Sequence, residues 1–441
     1  MSAAHTVPHT RILLGLVLGA VLGCTAKALV EGGAIPAAPV EAVVKYVTRP
    51  VGQVFMNLLF MAIIPLVFAS LAVGVTRLGG GSHVGRVGAR TLAYFLVTTT
   101  CAAAIGLTLV NVIRPGDRIP PQQRDELREA HAAEAKEAEK KAEFGINTFV
   151  NIVPRNPLEA FARKDMLAVI FSALIVGIAL TRIDPDKARL LTDLLEGVNQ
   201  ITDFIIRLAM ALAPYAVFCL IFSTTAELGY RILVALGAFV VTVLAGLAIH
   251  LCVVLPLLVK FLGGMSPLEF FRRSRGTMIT AFSTSSSSAT LPTAMKCAEE
   301  ELDVPPAVSR FVLPLSASMN HNGTALFESV TVLFLAQAFG ADLSLGQQLV
   351  VLVLCILTAT GMAGVPGGSL PLIGLILVQV GVPAGAIALV LGVDRILDMC
   401  RTTVNVTADL TTAVFVARTE RGAVPESSPV AKGGPGGAQT G

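Results

Sequence analysis

Tryptophan is absent from this chain of 441 residues and tyrosine occurs only four times. The aromatic belt that usually marks the ends of membrane helices is therefore thin and helps little in placing them. Charge is scarce as well: 14% of residues are charged against 54% hydrophobic, with a mean hydropathy of +0.74, which excludes an ordinary soluble globular chain. The net charge of +3 is spread between loops, so nothing points to nucleic acid. The seven cysteines (24, 101, 219, 252, 297, 355 and 400) show no CxxC and no Cys/His spacing. Most lie in apolar runs and read as reduced core residues, not disulfides or metal ligands. Cys400 is the exception, lying between Asp398 and Arg401. A basic flank is also nearly missing from the first apolar run, which has only Arg11 before it. VLGC at 21–24 loosely resembles a lipoprotein cleavage box, but the apolar stretch continues to Val30, so a retained first helix is expected.

What the chain has in abundance is apolar runs of about 20 residues, the length that crosses a bilayer. Clear spans fall near 12–30, 50–76, 91–113, 166–182, 203–224 and 231–261, and the apolar regions 307–338, 347–380 and 386–417 are interrupted by polar or glycine-rich clusters. The loops 77–90 and 260–275 are rich in Arg and Lys, so both are expected in the cytoplasm. Counting spans then puts the N-terminus inside, in a bacterial inner membrane, and the C-terminus with it. Segment 116–149, with DELREAHAAEAKEAEKKAEF at 125–144, has Glu–Lys pairs at helical spacing and reads as a solvated helical insertion outside. The tail from Gly422 is rich in Gly, Pro and Ser and is expected to be disordered.

The stretch VDRILDMCRTTVNVTADLTTAVFVAR at 393–418 is unlike the other spans. It carries Asp394, Asp398, Arg401, Thr402, Asn405 and Asp409, which at about 100° per residue fall within an arc of roughly 100° on one face. An ionised group at the centre of a spanning helix costs about 2.5–3.5 kcal/mol on insertion scales, so three acids and an arginine in one stripe mark a face built for charge. The second half of the chain also repeats a pattern. An apolar approach, SSSSATLP at 285–292 and an exit lead to a helix broken by NHNGT at 320–324. Another approach, GMAGVPGG at 361–368 and another exit lead to the charged helix. Non-helical backbone at membrane depth survives only inside protein or along a cavity, so both tips are expected to meet in the interior. Repeated half-spanning segments around a midplane site are the mark of a secondary transporter.

Taken in order, SSSSATLP, NHNGTALFE, GVPGGS and DMCRTTVNVTADL, with NIVPRNPLEAF at 151–161, resemble the glutamate transporter family of dicarboxylate/amino acid:cation symporters. The similarity runs from residue 12 to about 420. It implies an all-α polytopic fold of eight transmembrane helices and two re-entrant hairpins with inverted repeats. It also implies a homotrimer in the lipid bilayer, in which a mobile transport domain moves like an elevator against a fixed scaffold. The two scaffold stretches would be 11–76 and 150–225, and the hairpins 265–304 and 345–383. No cofactor is implied; the ions are cargo, sodium or protons.

Carried over residue by residue, the resemblance implies that Asp398 binds the amino group of an acidic amino acid and that Arg401 grips its side-chain carboxylate. Thr402, Asn405 and Thr324 would add hydrogen bonds, while Ser286, Ser287 and Ser288 on the first tip, with Val365 and Ser369 on the second, would close over the ligand. Asp409, Asn405, Asn320 and the carbonyl of Ser316 would form one sodium site. Ser318 and carbonyls near Ala359, Thr360 and Met362 would form another when the second tip closes, which makes sodium and substrate mutually dependent.

The departures matter as much. Where the family has NMDGT this chain has NHNGT, with His321 for Met and Asn322 for Asp. Asn322 removes a charge that would neutralise a cation, which weakens the case for a third sodium held with Thr98 and Thr99. The arginine found in other members, before the serines of the first tip or just after the Asp of the last helix, is replaced by Ser285 and Met399. Arg395 is nearby but a turn or more away, and is not read as a substitute. Glu328 stands where animal members have a proton-carrying glutamate, and an imidazole such as His321 titrates near pH 6.5 when unperturbed. The expected function is symport of glutamate or aspartate coupled to sodium, protons or both. The alternatives are a C4-dicarboxylate symporter of the same fold, which Asp398 argues against, and an intramembrane serine hydrolase, for which the serine tract lacks a GxSxG elbow. A channel or purely structural trimer would not need an Asp398–Arg401 pairing.

Overall fold

The computed structural model describes residues 9–76, 82–130, 153–162, 166–362, 364 and 367–421. Most of the insertion, the C-terminal tail and Val365 lie outside the described residues. Among the described residues the chain is helical with no strand, as it must be where no water satisfies a backbone. Helix α1 spans His9–Glu31, and α2 (Ala37–Val43) runs through a π turn into α3 (Arg49–Thr76). Then come α4 (Ser82–Ile113), α5 (Pro121–Ala130), α6 (Pro157–Ala162), α7 (Met166–Leu180), α8 (Pro185–Leu228) and α9 (Arg231–Ile249). A π turn at His250–Val254 continues α9 into the short α10 (Leu255–Leu258). The second half contains α11 (Pro267–Thr284), α12 (Ser287–Glu300), α13 (Pro306–Met319), α14 (Asn322–Ala338), α15 (Leu345–Thr360), α16 (Ser369–Gln379) and α17 (Leu391–Arg421).

Among the described residues, five stretches are long and apolar enough to cross a membrane: Thr10–Glu31, Ala37–Thr76, Val87–Arg118, Pro185–Leu228 and Arg231–Gly263. The span expected at 166–182 is shorter, because α7 stops at Leu180 and Asp184 caps the start of α8 by accepting from the amides of Asp186 and Lys187. α15 and α16 are apolar but short; the 16 residues of α15 reach about 24 Å, less than a hydrocarbon core of about 30 Å.

The helices pack in two sets. In one, α1 and α3 lie on α8, and α7 lies on α3. The contact of α1 with α8 runs along Gly15, Gly19 and Gly23, where a Cβ would stand 2.4 Å from the Pro214 carbonyl, 2.7 Å from the Phe218 carbonyl and 2.0 Å from Thr225 Oγ1. Small residues at this spacing let two backbones approach where lipid offers no hydrophobic drive. The other set places α14 against α4, α9, α15 and α17, and the hairpin α11–α12 against α13 and α17. Its core is apolar and aromatic: Phe239 stacks on Phe334 with centroids 4.7 Å apart.

Candidate functional site

Three of the four polar tracts sit at a helix end or break, and the fourth lies within α17. α11 stops at Ser285, which adopts a left-handed conformation (φ 51°). Ser286 is extended and caps α12, its hydroxyl accepting from the amide of Ala289 at 3.2 Å. The same hydroxyl donates to the Gly364 carbonyl at 2.7 Å, and the amide of Ser288 lies 3.4 Å from that oxygen. The tips of the two hairpins therefore touch. Between α13 and α14, Asn320 and His321 leave helical geometry (ψ 74° and 62°). The start of α14 is pressed onto α17: a Cβ on Gly323 would lie 2.6 Å from the carbonyl oxygen of Arg401.

The charged stripe of α17 is buried throughout, with Arg401 only 2% exposed. Its guanidinium donates to Asp394 Oδ1 at 2.9 Å and to Asp398 Oδ1 at 3.0 Å, and lies 4.2 Å over the ring of Phe327. Asp398 Oδ2 accepts from the Gly367 amide at 3.2 Å and from Arg395 at 3.5 Å. Arg395 thus reaches the cluster, against the sequence expectation. One turn of helix brings the two side chains within reach, and both are buried.

Further along, Asn405 accepts from the Gly323 amide at 2.8 Å and donates to Thr324 Oγ1 at 3.2 Å. Asn320 donates to Asp409 Oδ1 at 3.0 Å. Asn320, Asn405, Asp409, Thr324 and Thr402 are all buried. Asn322 accepts from Thr99 at 2.7 Å and Thr98 at 3.4 Å, and its amide nitrogen lies 3.4 Å from His250 Nε2. Glu328, fully buried, accepts from Thr358 at 2.7 Å. Most of the buried side-chain atoms without a hydrogen-bond partner among the described residues lie in these tracts: Ser285 Oγ, Ser316 Oγ, Asn320 Oδ1, His321 Nε2, Glu328 Oε1 and Ser369 Oγ. Left unmet, such atoms cost free energy.

Not every expected residue faces this interior. Ser288 is exposed and Ser318 half-buried, whereas Ser286, Ser287, Ser369, Ala359 and Met362 are buried. Thr360 turns its hydroxyl back to Ile356 O at 2.7 Å. Sequence reasoning missed His250, Phe327, Gly323 and Thr358. For His250 the signal was available, a lone imidazole in an otherwise apolar span; for the others only the packing reveals the role.

The chain matches the Sodium:dicarboxylate symporter family over residues 9–419. It is 34% identical over 413 residues to a proton/sodium-glutamate symport protein of Bacillus subtilis (strain 168), covering 93% of this chain and 92% of that one. A proton/glutamate-aspartate symporter of Escherichia coli (strain K12) is 32% identical, with 84% and 85% covered. A C4-dicarboxylate transport protein of Anaeromyxobacter sp. (strain K) is 31% identical, with 93% and 89% covered.

Proposed function

Because this chain belongs to the Sodium:dicarboxylate symporter family, we propose that it is a cation-coupled symporter of the inner membrane that carries glutamate or aspartate. The observation that carries this reading is the buried pairing of Asp398 with Arg401, one helical turn apart, with Asp398 bonded to the second hairpin tip, which in turn touches the first. An acid beside an arginine suits a substrate with an ammonium at one end and a carboxylate at the other. When such a ligand enters, Arg401 exchanges an intrahelical partner for the ligand's distal carboxylate, and Asp398 exchanges Arg401 for the ammonium. Thr324, Thr402 and Asn405 line the same face, and Ser286, Ser287, Ser369 and Val365 close it. Asn320, Asn405, Asp409 and the Ser316 carbonyl hold a sodium ion with hard oxygen ligands. Glu328 carries a proton. The first set of helices serves as the fixed scaffold of a homotrimer, and the second set, with both hairpins re-entrant, moves across the bilayer.

One observation favours a second reading, C4-dicarboxylate symport. Asp394 and Asp398 are matched by Arg395 and Arg401, so the cluster is neutral as a whole and repels a ligand without an amine less than Asp398 alone would. Competition uptake into proteoliposomes with L-aspartate, L-glutamate, malate and serine, under separate sodium and pH gradients, tests both. Acidic amino acids are expected to outcompete malate; the reverse order establishes the dicarboxylate reading.

A further inference from the structure

A helix that ends inside a protein leaves its last carbonyls without intrahelical donors, and its aligned dipoles place partial negative charge there. At membrane depth such an end has to meet a donor or a cation. α15 ends in this way, beside the tip of the first hairpin. Its last carbonyls can be followed one by one. Leu357 O and Thr358 O each accept from the Gly361 amide at 3.1 Å. Ala359 O lies 2.8 Å from Nδ1 of His321. A carbonyl oxygen can only accept, so Nδ1 carries the proton and the ring donates. His321 stands in the break between α13 and α14 and is 1% exposed. An imidazole from one polar break therefore crosses to cap the rising helix of the second hairpin. The hydroxyl of Ser318, a neighbour in the same tract, turns away to the Pro314 carbonyl at 3.0 Å.

We infer that His321 takes the place of a monovalent cation at the end of α15, so that the second hairpin closes with this carbonyl held by a ring N–H and no sodium ion is carried there. The inference rests on the symporter reading and deepens it by fixing which ion positions this chain uses. The adjacent residue supports it independently. Asn322 accepts from Thr98 and Thr99 through its carbonyl oxygen and meets His250 with its amide nitrogen. Both positions at which NHNGT departs from NMDGT are thus tied to protein neighbours through hydrogen bonds. The sodium site proposed at Asn320, Asn405 and Asp409 uses other atoms: Asp409 there accepts from Asn320 and not from His321.

The test replaces the donor by a side chain of similar reach that cannot donate, His321→Met, because a thioether offers only a weak acceptor. Uptake of L-aspartate into proteoliposomes is measured against sodium concentration, for wild type and variant. The wild type is expected to show a non-cooperative sodium curve, and His321→Met a steeper one, as the freed Ala359 carbonyl recruits an ion. An unchanged curve in a transporting variant overturns the proposal. Should His321→Met not fold, equilibrium binding of radioactive sodium to the purified wild type decides the matter. A single bound ion per protomer supports the proposal, and two or more overturn it. That binding count does not depend on which substrate is moved, so a wild type that binds one ion but takes up no acidic amino acid defeats the substrate reading and leaves the cap standing.

Discussion

Arg401 carries its charge where water does not reach, and three neighbours hold it there: two carboxylates and the face of Phe327. A desolvated cation–π contact is worth about 2 kcal/mol or more, and removing one member of a buried ion pair costs about 3–5 kcal/mol. If Arg401 grips the distal carboxylate, Arg401→Cys is expected to abolish uptake of acidic substrates while leaving uptake of neutral amino acids measurable, in whatever fraction of the variant folds despite the lost ion pairs. Retention of aspartate uptake would assign that grip to Arg395. Asp398→Asn is expected to weaken amino acids far more than malate, read as the ratio of their competition constants. Gly323 is constrained by packing alone: the 2.6 Å approach of a Cβ to the Arg401 carbonyl has to be relieved by moving α14 or α17. Overpacking of this kind costs about 1–3 kcal/mol. Gly323→Ala should therefore lower the melting temperature and slow uptake together, and a variant with wild-type stability would refute the close contact.

At the scale of elements, the polar tracts are brought together by helices that stop short. α15 and α16 form a hairpin too short to cross on each limb, and its tip meets that of α11–α12 through Ser286 and Gly364. Glu328 on α14 and Thr358 on α15 join the broken helix to this hairpin, so a change of charge on Glu328 acts directly on α15. A carboxyl in a fully buried position moves across a membrane far more cheaply when neutral. Glu328→Gln keeps the hydrogen-bonding shape but cannot release a proton. It is expected to abolish the response of uptake to an imposed pH gradient while sparing exchange of internal for external substrate. If the wild type ignores the pH gradient and Glu328→Gln transports at the full rate, the proton role is wrong.

For the whole molecule, the division of helices into two sets makes one prediction about stability and one about assembly. The glycine stripe of α1 brings it against α8 so closely that Gly19→Leu has nowhere to go, with backbone of Phe218 at 2.7 Å. The variant should give little folded protein on size-exclusion chromatography, whereas Gly197→Leu, on the same α8 but with nothing within 4 Å, should be tolerated. Along α8, Leu190, Leu194, Ile201, Phe204 and Leu208 form an exposed apolar stripe. If the scaffold joins three copies, native mass spectrometry of the detergent-extracted protein will give three protomers, and a monomeric mass excludes the trimer.

The amino-acid sequence by itself determined the membrane class, the polar stripe of α17, the two interrupted regions and the break at NHNGT. All of these follow from composition and local pattern: a charge in an apolar run, or a Gly- and Ser-rich tract inside a span, has the same meaning wherever the chain later puts it. The family resemblance carried the assignment of roles to residues. Partners were decided by the tertiary structure alone. That Asp398 is shared between Arg401 and Arg395, that Asn322 faces His250 72 positions away, and that His321 caps a helix 38 residues further on are matters of distance in space. No periodicity encodes them, because hydrogen bonds between helices depend on how ridges and glycines let the helices settle, and that depends on every neighbour at once.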